Sequence, residues 1–307
     1  KVYVSGPADG DMSAIELKAA AANVETVDDG TSEGYAVLLV GGVYSVDAVV
    51  AAVIDANGNV EYFSTLQKAI DAAQPGETVK LVVDIELAES VKVSQDDVIT
   101  IDLNGHTITG TDNNTSGNFY LINNNKGDLT ITDSSAEKTG AITLTATTER
   151  NWSASSVVVA NQLGKLTIDG GKIEHLGGTS MAYGIDNLTN GANTTAELVI
   201  NGGSVNSSYF AVRQFANGVS EGGNAVTVNG GEIGYMWIQS PSVHANGAAL
   251  TVEGGEVAGI CVNGKAGNDV SNITLKAKVD CVGVVYGDLD SIHEYAVVDG
   301  YNVIAEL

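Results

Sequence analysis

A row of aromatic, amide and charged side chains recurs on neighbouring repeats in the second half of the chain. Flat aromatic rings stack on the C–H faces of sugars, and amide and guanidinium groups hydrogen-bond hydroxyls directionally. The row therefore predicts a ligand-binding surface for a glycan. The same residues also suit a protein interface, or an aromatic cluster buried beneath loops at 187–197 and 215–225. The members are Tyr209, Arg213, Tyr235, Trp237, Gln239 and Asp186, with Trp152 in a nearby predicted loop.

Acid–base chemistry has one candidate group within this row. We expect Asp186 and Gln239 to flank Arg213 on neighbouring coils, which would bring a carboxylate, a base and an amide together. An ordinary surface Arg–Asp pair explains the same residues without chemistry. The acidic pairs at 28–29 and 96–97 fall in predicted turns and lack the signatures of pectin hydrolases, so no catalytic residue is assigned.

Metal and disulfide chemistry have weaker support. Each of the four histidines falls in a separate predicted turn or loop without metal-ligand spacing. Turn carboxylates and asparagine carbonyls suit a structural calcium ion, but no Asp-x-Asp-x-Asp loop is present, so no metal site or cofactor is assigned. Cys261 and Cys281 lie about one coil length apart, which fits either an inter-coil bridge or two buried thiols. The histidines are His106, His175, His244 and His293.

The elements that must position these residues are set by a repeated corner. Two or three alternating β-formers precede an acidic or amide residue and two glycines, and another strand follows. From Asp169 this corner recurs after 32, 28 and 24 residues. A fixed corner with unequal spacing is typical of a β-solenoid whose other loops vary. Glycine supplies the positive φ, and stacked Asx side chains can hydrogen-bond along the axis. The pattern predicts an all-β, right-handed parallel β-helix of about seven coils between residues 78 and 290.

Alternation within the strands predicts which side chains face the core. Before each corner, apolar residues point inward and the intervening Thr or Val points outward. On the strand that carries the aromatic row, we predict inward pairs at Tyr120/Ile122, Val158/Ala160, Tyr183/Ile185, Phe210/Val212, Met236/Ile238 and Ile260/Val262. Tyr235 and Trp237 consequently face outward.

The first part of the chain is predicted to close the end of the solenoid. We divide the sequence into a small flanking module or extended cap at 1–60 and the β-helix at 61–307. A capping helix is predicted at 64–73, with Ser64 or Thr65 as its N-cap. Within the flanking module we predict a short helix at 14–22 and strands at 35–40, 49–55 and 60–63.

Charge and composition exclude several classes of partner. The chain has 14 Lys and Arg residues against 38 Asp and Glu residues, a formal net charge of −24. Such a surface repels phosphate backbones and anionic lipids, so nucleic acid is excluded as a partner. No apolar run is long enough to span a bilayer, so no membrane insertion is expected in this segment. The chain begins directly at Lys1, which reads as a segment of a longer protein.

The opening of the solenoid resembles a known family. The run 63–73, followed by 77–84 and 101–108, is similar to the start of pectate-lyase-like parallel β-helix domains in secreted and cell-surface proteins of gut bacteria. The resemblance covers residues 60–307 and implies an extracellular location, with glycans as the commonest ligands. It implies no particular activity, because the fold hosts lyases, hydrolases, tailspikes and adhesins.

These observations favour a non-catalytic, adhesin-like surface module that binds a host or dietary glycan or a host glycoprotein. One alternative is a polysaccharide lyase or glycoside hydrolase with an atypical site around Asp186 and Arg213. A second alternative is a structural spacer in a large surface protein.

Overall fold

The chain folds into a parallel β-helix, as predicted. The computed structural model describes residues 18–20, 31–32, 34–40, 42–150, 154–178, 180–190, 194–217, 222–239, 249–263 and 273–285. Three strands in chain order make one coil, and corresponding strands of successive coils pair in parallel to form three faces, which we call A, B and C. Eight coils lie within the described residues, against about seven predicted.

The strands of the solenoid follow the short apolar runs of the sequence. In the sixth and seventh coils a single long strand serves both face B and face C. Coil by coil, the strands are β7 Thr78–Leu81, β8 Ile85–Leu87 and β9 Val91–Val93; β10 Val98–Asp102, β11 Thr107–Asp112 and β12 Phe119–Asn125; β13 Asp128–Thr132, β14 Ala141–Ala146 and β15 Ser156–Gln162; β16 Lys165–Ile168, β17 Lys172–Leu176 and β18 Ala182–Asn190; β19 Thr194–Ile200, β20 Ser204–Ser207 and β21 Phe210–Asn217; β22 Gly222–Val228 and β23 Glu232–Ile238; β24 Leu250–Val252 and β25 Glu256–Asn263; and β26 Ile273–Leu275, β27 Lys278–Val279 and β28 Val282–Val285. β1 to β6 and the helix α1 precede them and are described below.

Face A shows the predicted alternation. Leu166 pairs with Leu198 and Ile168 pairs with Ile200, and all four side chains are buried in a continuous core. The residues between them form a partly exposed outward row, because a strand presents successive side chains to opposite faces. That row consists of Thr78, Thr100, Thr130, Thr167, Val199, Thr227, Thr251 and Thr274.

The corner between faces A and B confirms the predicted Asx ladder. Asn201 donates from Nδ2 to Asp169 Oδ1 at 2.7 Å, and Asn229 donates to Asn201 Oδ1 at 2.9 Å. Gly203 has φ +78°, and a Cβ there would lie 2.3 Å from the carbonyl oxygen of Gly171. Glycine is therefore required both for its conformation and for the close approach of consecutive coils.

A second, buried ladder follows face C and was missing from the sequence prediction. Asn124 donates to Asn161 Oδ1 at 2.8 Å, and Asn161 donates to Asn187 Oδ1 at 2.7 Å. Asn161 also donates to the carbonyl oxygens of Gly164 and Glu197, so the ladder ties the corner to the next face. Buried amides are stable here because nearly every polar atom has a partner.

The start of face C departs from the predicted alternation. In β15 and β18, Val157 pairs with Tyr183 and Val159 pairs with Ile185, while the residue between each pair has no partner in the ladder. This unpaired residue bends the strand and reverses the facing of the residues before it. The inward predictions were therefore wrong at Tyr120, Tyr183 and Phe210, which precede the unpaired residue. The prediction was also wrong at Ala160, which follows the buried core residue Val159. All four side chains form or border a second apolar cluster separate from the core.

The N-terminal end of the solenoid is covered by a hairpin and a helix. The strands β5 Ala51–Ile54 and β6 Val60–Phe63 pair antiparallel, and β5 pairs antiparallel with β7, so both strands extend face A. The helix α1, Leu66–Ala72, confirms the predicted cap, with Thr65 as its N-cap. The side-chain amide of Gln67 accepts a hydrogen bond from the backbone N–H of Lys92 and donates one to the carbonyl oxygen of Lys92. These two bonds replace those that a neighbouring strand would make to the edge strand β9.

The earlier residues form a four-stranded antiparallel sheet in the order β1-β4-β3-β2. Its strands are β1 Lys18–Ala20, β2 Thr31–Ser32, β3 Tyr35–Val40 and β4 Val43–Ala48. The predicted helix at 14–22 is wrong at 18–20, where pairing with β4 overrides local helix propensity, and the rest of that range lies outside the described residues. The seven-residue α1 is too short to cross a membrane, and the described residues contain no longer apolar helix.

Candidate functional site

The aromatic row lies at the corner between faces B and C, where the way in which the two faces are connected changes along the solenoid. In the first five coils separate strands form faces B and C, and in the fifth coil Ser208 and Tyr209 connect them, whereas β23 and β25 each run from face B to face C without interruption. Tyr209 therefore lies in the connection of the coil directly before the first uninterrupted strand, which carries Tyr235.

Four aromatic rings at this corner, those of Tyr183, Tyr209, Phe210 and Trp237, pack against one another. The Tyr209 centroid lies 4.7 Å from that of Phe210 and 6.3 Å from that of Trp237, both in edge-to-face geometry. The Phe210 and Trp237 centroids are 5.4 Å apart, and those of Tyr183 and Tyr209 are 5.8 Å apart. Tyr183 is completely buried beneath them, and burial raises its phenol pKa. This aromatic cluster is a rigid unit outside the main core.

Tyr235 is an exposed aromatic residue on the strand that carries Trp237. The residue is 55% exposed, while Met236 and Ile238 on the same strand are buried in the core. Tyr235 pairs in register with Gly259, and a Cβ at Gly259 would lie 2.7 Å from the Tyr235 ring and 2.6 Å from Cys281 Sγ. The ring thus lies directly on the backbone of the next coil, which only glycine permits.

Asp186 and Arg213 form a buried ion pair behind the cluster. Arg213 donates from Nε to Asp186 Oδ1 at 2.9 Å and from Nη2 to Oδ2 at 2.5 Å. The residue Asp186 is 0% exposed and Arg213 is 7% exposed. The guanidinium carbon lies 4.3 Å from the Tyr183 centroid and 5.2 Å from that of Phe215. This geometry is a bidentate pair between aromatic rings, not the surface pair that composition suggested.

The third member of the predicted acid–base group is displaced. Trp237, not Gln239, pairs with Arg213 in the ladder, since Val212 pairs with Met236 and Gln214 pairs with Ile238. The prediction that Gln239 lies beside Arg213 was wrong. The chain between β20 and the paired part of β21 contains residues that have no counterpart in β23, and these extra residues change which residue of β23 lies opposite Arg213. Gln239 follows the end of β23, two residues after Trp237, with its amide oxygen buried and without a partner among the described residues.

A second buried ion pair adjoins the first. Arg150 donates to Asp112 through Nη2 and to the carbonyl oxygen of Gly117 at 2.6 Å through Nη1. Burial opposes ionisation of Asp112, but hydrogen bonds from Arg150 and Ser156 outweigh it and lower the carboxyl pKa. Ser155, next to Ser156, lies 3.4 Å from Arg213 Nη2, so neighbouring serines join the two pairs. Both arginines of the chain are consequently buried.

His175 belongs to this second pair and was placed wrongly in a turn. It lies on β17, is 1% exposed, and its Nε2 is 2.9 Å from Ser156 Oγ. Burial lowers the His175 pKa to about 4, although the Asp112 carboxylate acts in the opposite direction. The sequence offered one signal, since His175 occupies an inward position two residues after Ile173.

The remaining predicted sites do not come together. His106 lies in a turn, 3.3 Å from an Asp84 carboxylate oxygen, and Asp96–Asp97 form the predicted turn, where Asp96 has φ +76°. Within the described ranges, no three His, Cys, Asp or Glu side chains are grouped to hold a metal ion. The pair at 28–29, His244, His293 and Trp152 lie outside the described residues.

Two open questions from the sequence are resolved by the described coils. Cys261 and Cys281 are free thiols rather than a bridge, and burial raises both pKa values. The ranges 187–197 and 215–225 were predicted as loops. Their described parts, 187–190, 194–197, 215–217 and 222–225, are strand instead, because β18 pairs with β21 as far as Asn190 and β19 pairs with β22 from Thr194.

Comparison with known proteins adds no assignment. No protein-family model, no curated protein and no solved structure matches the chain.

Proposed function

We propose that this chain is a non-catalytic binding module that recognises a glycan, free or carried on a glycoprotein, through Tyr209, Tyr235 and Trp237. The observation that carries the proposal is the packing of Tyr209, Phe210 and Trp237 against one another, together with Tyr235, which lies on the same strand as Trp237 and is 55% exposed. An exposed aromatic held rigidly on a neighbouring coil loses little conformational entropy on stacking against a ligand.

The state of Asp186 supports binding over acid–base catalysis. Both of its carboxylate oxygens accept from Arg213, and the residue is 0% exposed. A general acid or base must reach the proton that it transfers, directly or through one water. Asp186 would have to leave a buried pair to do so, which is strongly unfavourable.

The resemblance of residues 60–307 to pectate-lyase-like domains supports an extracellular setting. We propose on that basis that the chain is part of a secreted or cell-surface bacterial protein. The strongly acidic surface, with a formal charge of −24, agrees with a partner that is neither nucleic acid nor anionic lipid.

The test is binding of the purified chain to an array of glycans and host glycoproteins. Trp237→Ala and Tyr235→Ala should each weaken binding about tenfold or more, the loss expected for an aromatic hot spot. Val98→Ala, at a 42% exposed apolar residue on face A, is the matched control and should bind as the wild type does. Circular dichroism should show that all variants are folded. Binding that both aromatic variants retain would place the ligand elsewhere.

A further inference from the structure

Two buried hydrogen-bonding atoms at the end of β23 have no partner among the described residues. They are the indole Nε1 of Trp237, which is a donor, and the amide Oε1 of Gln239, which is an acceptor. Resting on the proposed function, we infer that this pair holds the acetamido group of an N-acetylated sugar. An acetamido group is the complement of the pair, because its carbonyl oxygen accepts a hydrogen bond and its N–H donates one.

The other unpaired atoms of the described residues lie where a ligand has no access. Native structures contain few buried polar atoms without a partner, because such atoms destabilise the folded chain. The described residues contain six, and four of them belong to side chains of residues that are at most 5% exposed: Asn124, Arg150, His175 and Gln214. Trp237 and Gln239, in contrast, are both partly exposed. A ligand that turns these two side chains slightly is able to pair them.

The two side chains lie on the same side of one strand. Met236 and Ile238 are buried in the core, so the residues that alternate with them, Trp237 and Gln239, both face outward. Backbone pairing continues to Gln239, whose N–H donates to the carbonyl oxygen of Gln214 at 2.9 Å. Residues two positions apart on a strand are separated by about 6.6 Å. An amide group with a hydrogen bond of about 2.9 Å at each end spans a gap of this size.

The surroundings of Trp237 suit the methyl group of an acetamido substituent. The Trp237 ring centroid lies 6.3 Å from that of Tyr209 and 5.4 Å from that of Phe210. On the next coil Trp237 pairs in register with Cys261, a free thiol, which behaves as a small apolar group. A hydroxyl at the same position of the sugar is shorter and carries no methyl group, so it gains less from these residues. The site therefore favours N-acetylated saccharides over their hydroxyl counterparts.

Matched pairs of saccharides test the inference. We would titrate the chain by calorimetry with N-acetyllactosamine against lactose, and with N,N′-diacetylchitobiose against cellobiose. The N-acetylated member of each pair should bind about tenfold or more tightly, a gain of about 1.4 kcal/mol that two added hydrogen bonds supply. Trp237→Phe, which keeps a ring but removes the N–H, and Gln239→Leu should each reduce this ratio of Kd values to about twofold or less. Gln162→Leu is the matched control, since the Gln162 amide already donates to Asn123 at 3.0 Å, and it should keep the wild-type ratio.

Urea unfolding gives a second readout that needs no ligand. The Oε1 of Gln239 has no hydrogen bond to lose among the described residues, so Gln239→Leu should have a urea midpoint equal to or above that of the wild type. Gln162→Leu breaks the hydrogen bond to Asn123 and should have a lower midpoint than Gln239→Leu. The reverse order would show that Gln239 is already paired in the free chain, and it would overturn the inference.

The binding outcomes separate this inference from the proposed function. Equal affinity for the two members of each pair, or a preference for the N-acetylated member that survives Gln239→Leu and Trp237→Phe, would overturn the inference. The same holds if neither N-acetylated probe binds. In each case, binding of another saccharide on the array that is lost in Trp237→Ala would leave the proposed function in place. The absence of binding by any saccharide would overturn both.

Discussion

Replacing His175 with glutamine tests whether this buried histidine, beside the Arg150–Asp112 ion pair, is uncharged in the folded chain. In the folded chain, burial lowers the His175 pKa from 6.5 to about 4. The unfolded chain binds this proton near the ordinary value, so between these two pH values the unfolded state carries more protons than the folded state. The lowered pKa of His175 therefore adds its full contribution to the free energy of unfolding above about pH 6.5. That contribution is lost progressively as the pH falls from about 6.5 to about 4.

The magnitude follows from the shift itself. A depression from 6.5 to about 4 corresponds to roughly 3 kcal/mol of unfolding free energy, at about 1.4 kcal/mol per unit. The buried carboxylate of Asp112 has a pKa below 3.8, so its contribution is lost only at lower pH. The window from about pH 6.5 to about pH 4 therefore reports mainly on the histidine.

The assay is urea unfolding, followed by fluorescence and circular dichroism, across that window. The wild type should lose roughly 3 kcal/mol between about pH 7.5 and about pH 4, whereas His175→Gln should lose much less of its own stability over the same range. His106→Gln removes a histidine in an exposed turn and should retain the wild-type slope. A wild-type profile without a slope, or an unchanged slope in His175→Gln, would refute a buried neutral His175.

Three further sets of substitutions test other parts of the structure by urea unfolding. Arg213→Met should lower the free energy of unfolding by about 3–5 kcal/mol, because it leaves Asp186 buried and unpaired, and adding Asp186→Leu should recover most of that loss. A double variant that is no more stable than Arg213→Met would contradict this account. Asn161→Ala in the buried ladder should cost about 2–3 kcal/mol, whereas Asn201→Ala in the exposed ladder should cost under about 1 kcal/mol, and equal costs would contradict the assigned burial. Gly259→Ala should cost about 1–3 kcal/mol and weaken glycan binding, since its methyl group would displace the ring and thiol beside it; a fully stable variant with wild-type affinity would disprove that contact.

The repeated corner made most of the fold predictable. Because glycine is required at positions such as Gly203, the Asp-Gly-Gly and Asn-Gly-Gly phrases located face A, face B and the exposed ladder in advance. The capping helix was equally clear, since its apolar spacing and Thr65 N-cap are local signals. These features depend on neighbours in sequence, which a pattern reveals directly.

The errors arose where contacts between coils decide the outcome. No sequence pattern marks the unpaired residue at the start of face C. Because of it, Tyr183 points away from the main core, and the changed register places Trp237 rather than Gln239 opposite Arg213. His175 was predicted to lie in a turn. Its hydrogen-bond partner Ser156 lies on another coil, so no residue close to His175 in sequence indicated that a histidine would be buried there. The strand at 18–20 similarly depends on β4, which lies far along the chain.

The most direct test of the central claim is a fluorescence titration of Trp237. The chain has two tryptophans, so Trp152→Phe leaves Trp237 as the single indole. Titration with a saccharide that binds on the array should change the intensity and emission maximum of Trp237, with the same Kd as calorimetry. Calorimetric binding without any change in Trp237 emission would contradict the assignment of the aromatic cluster as the ligand site.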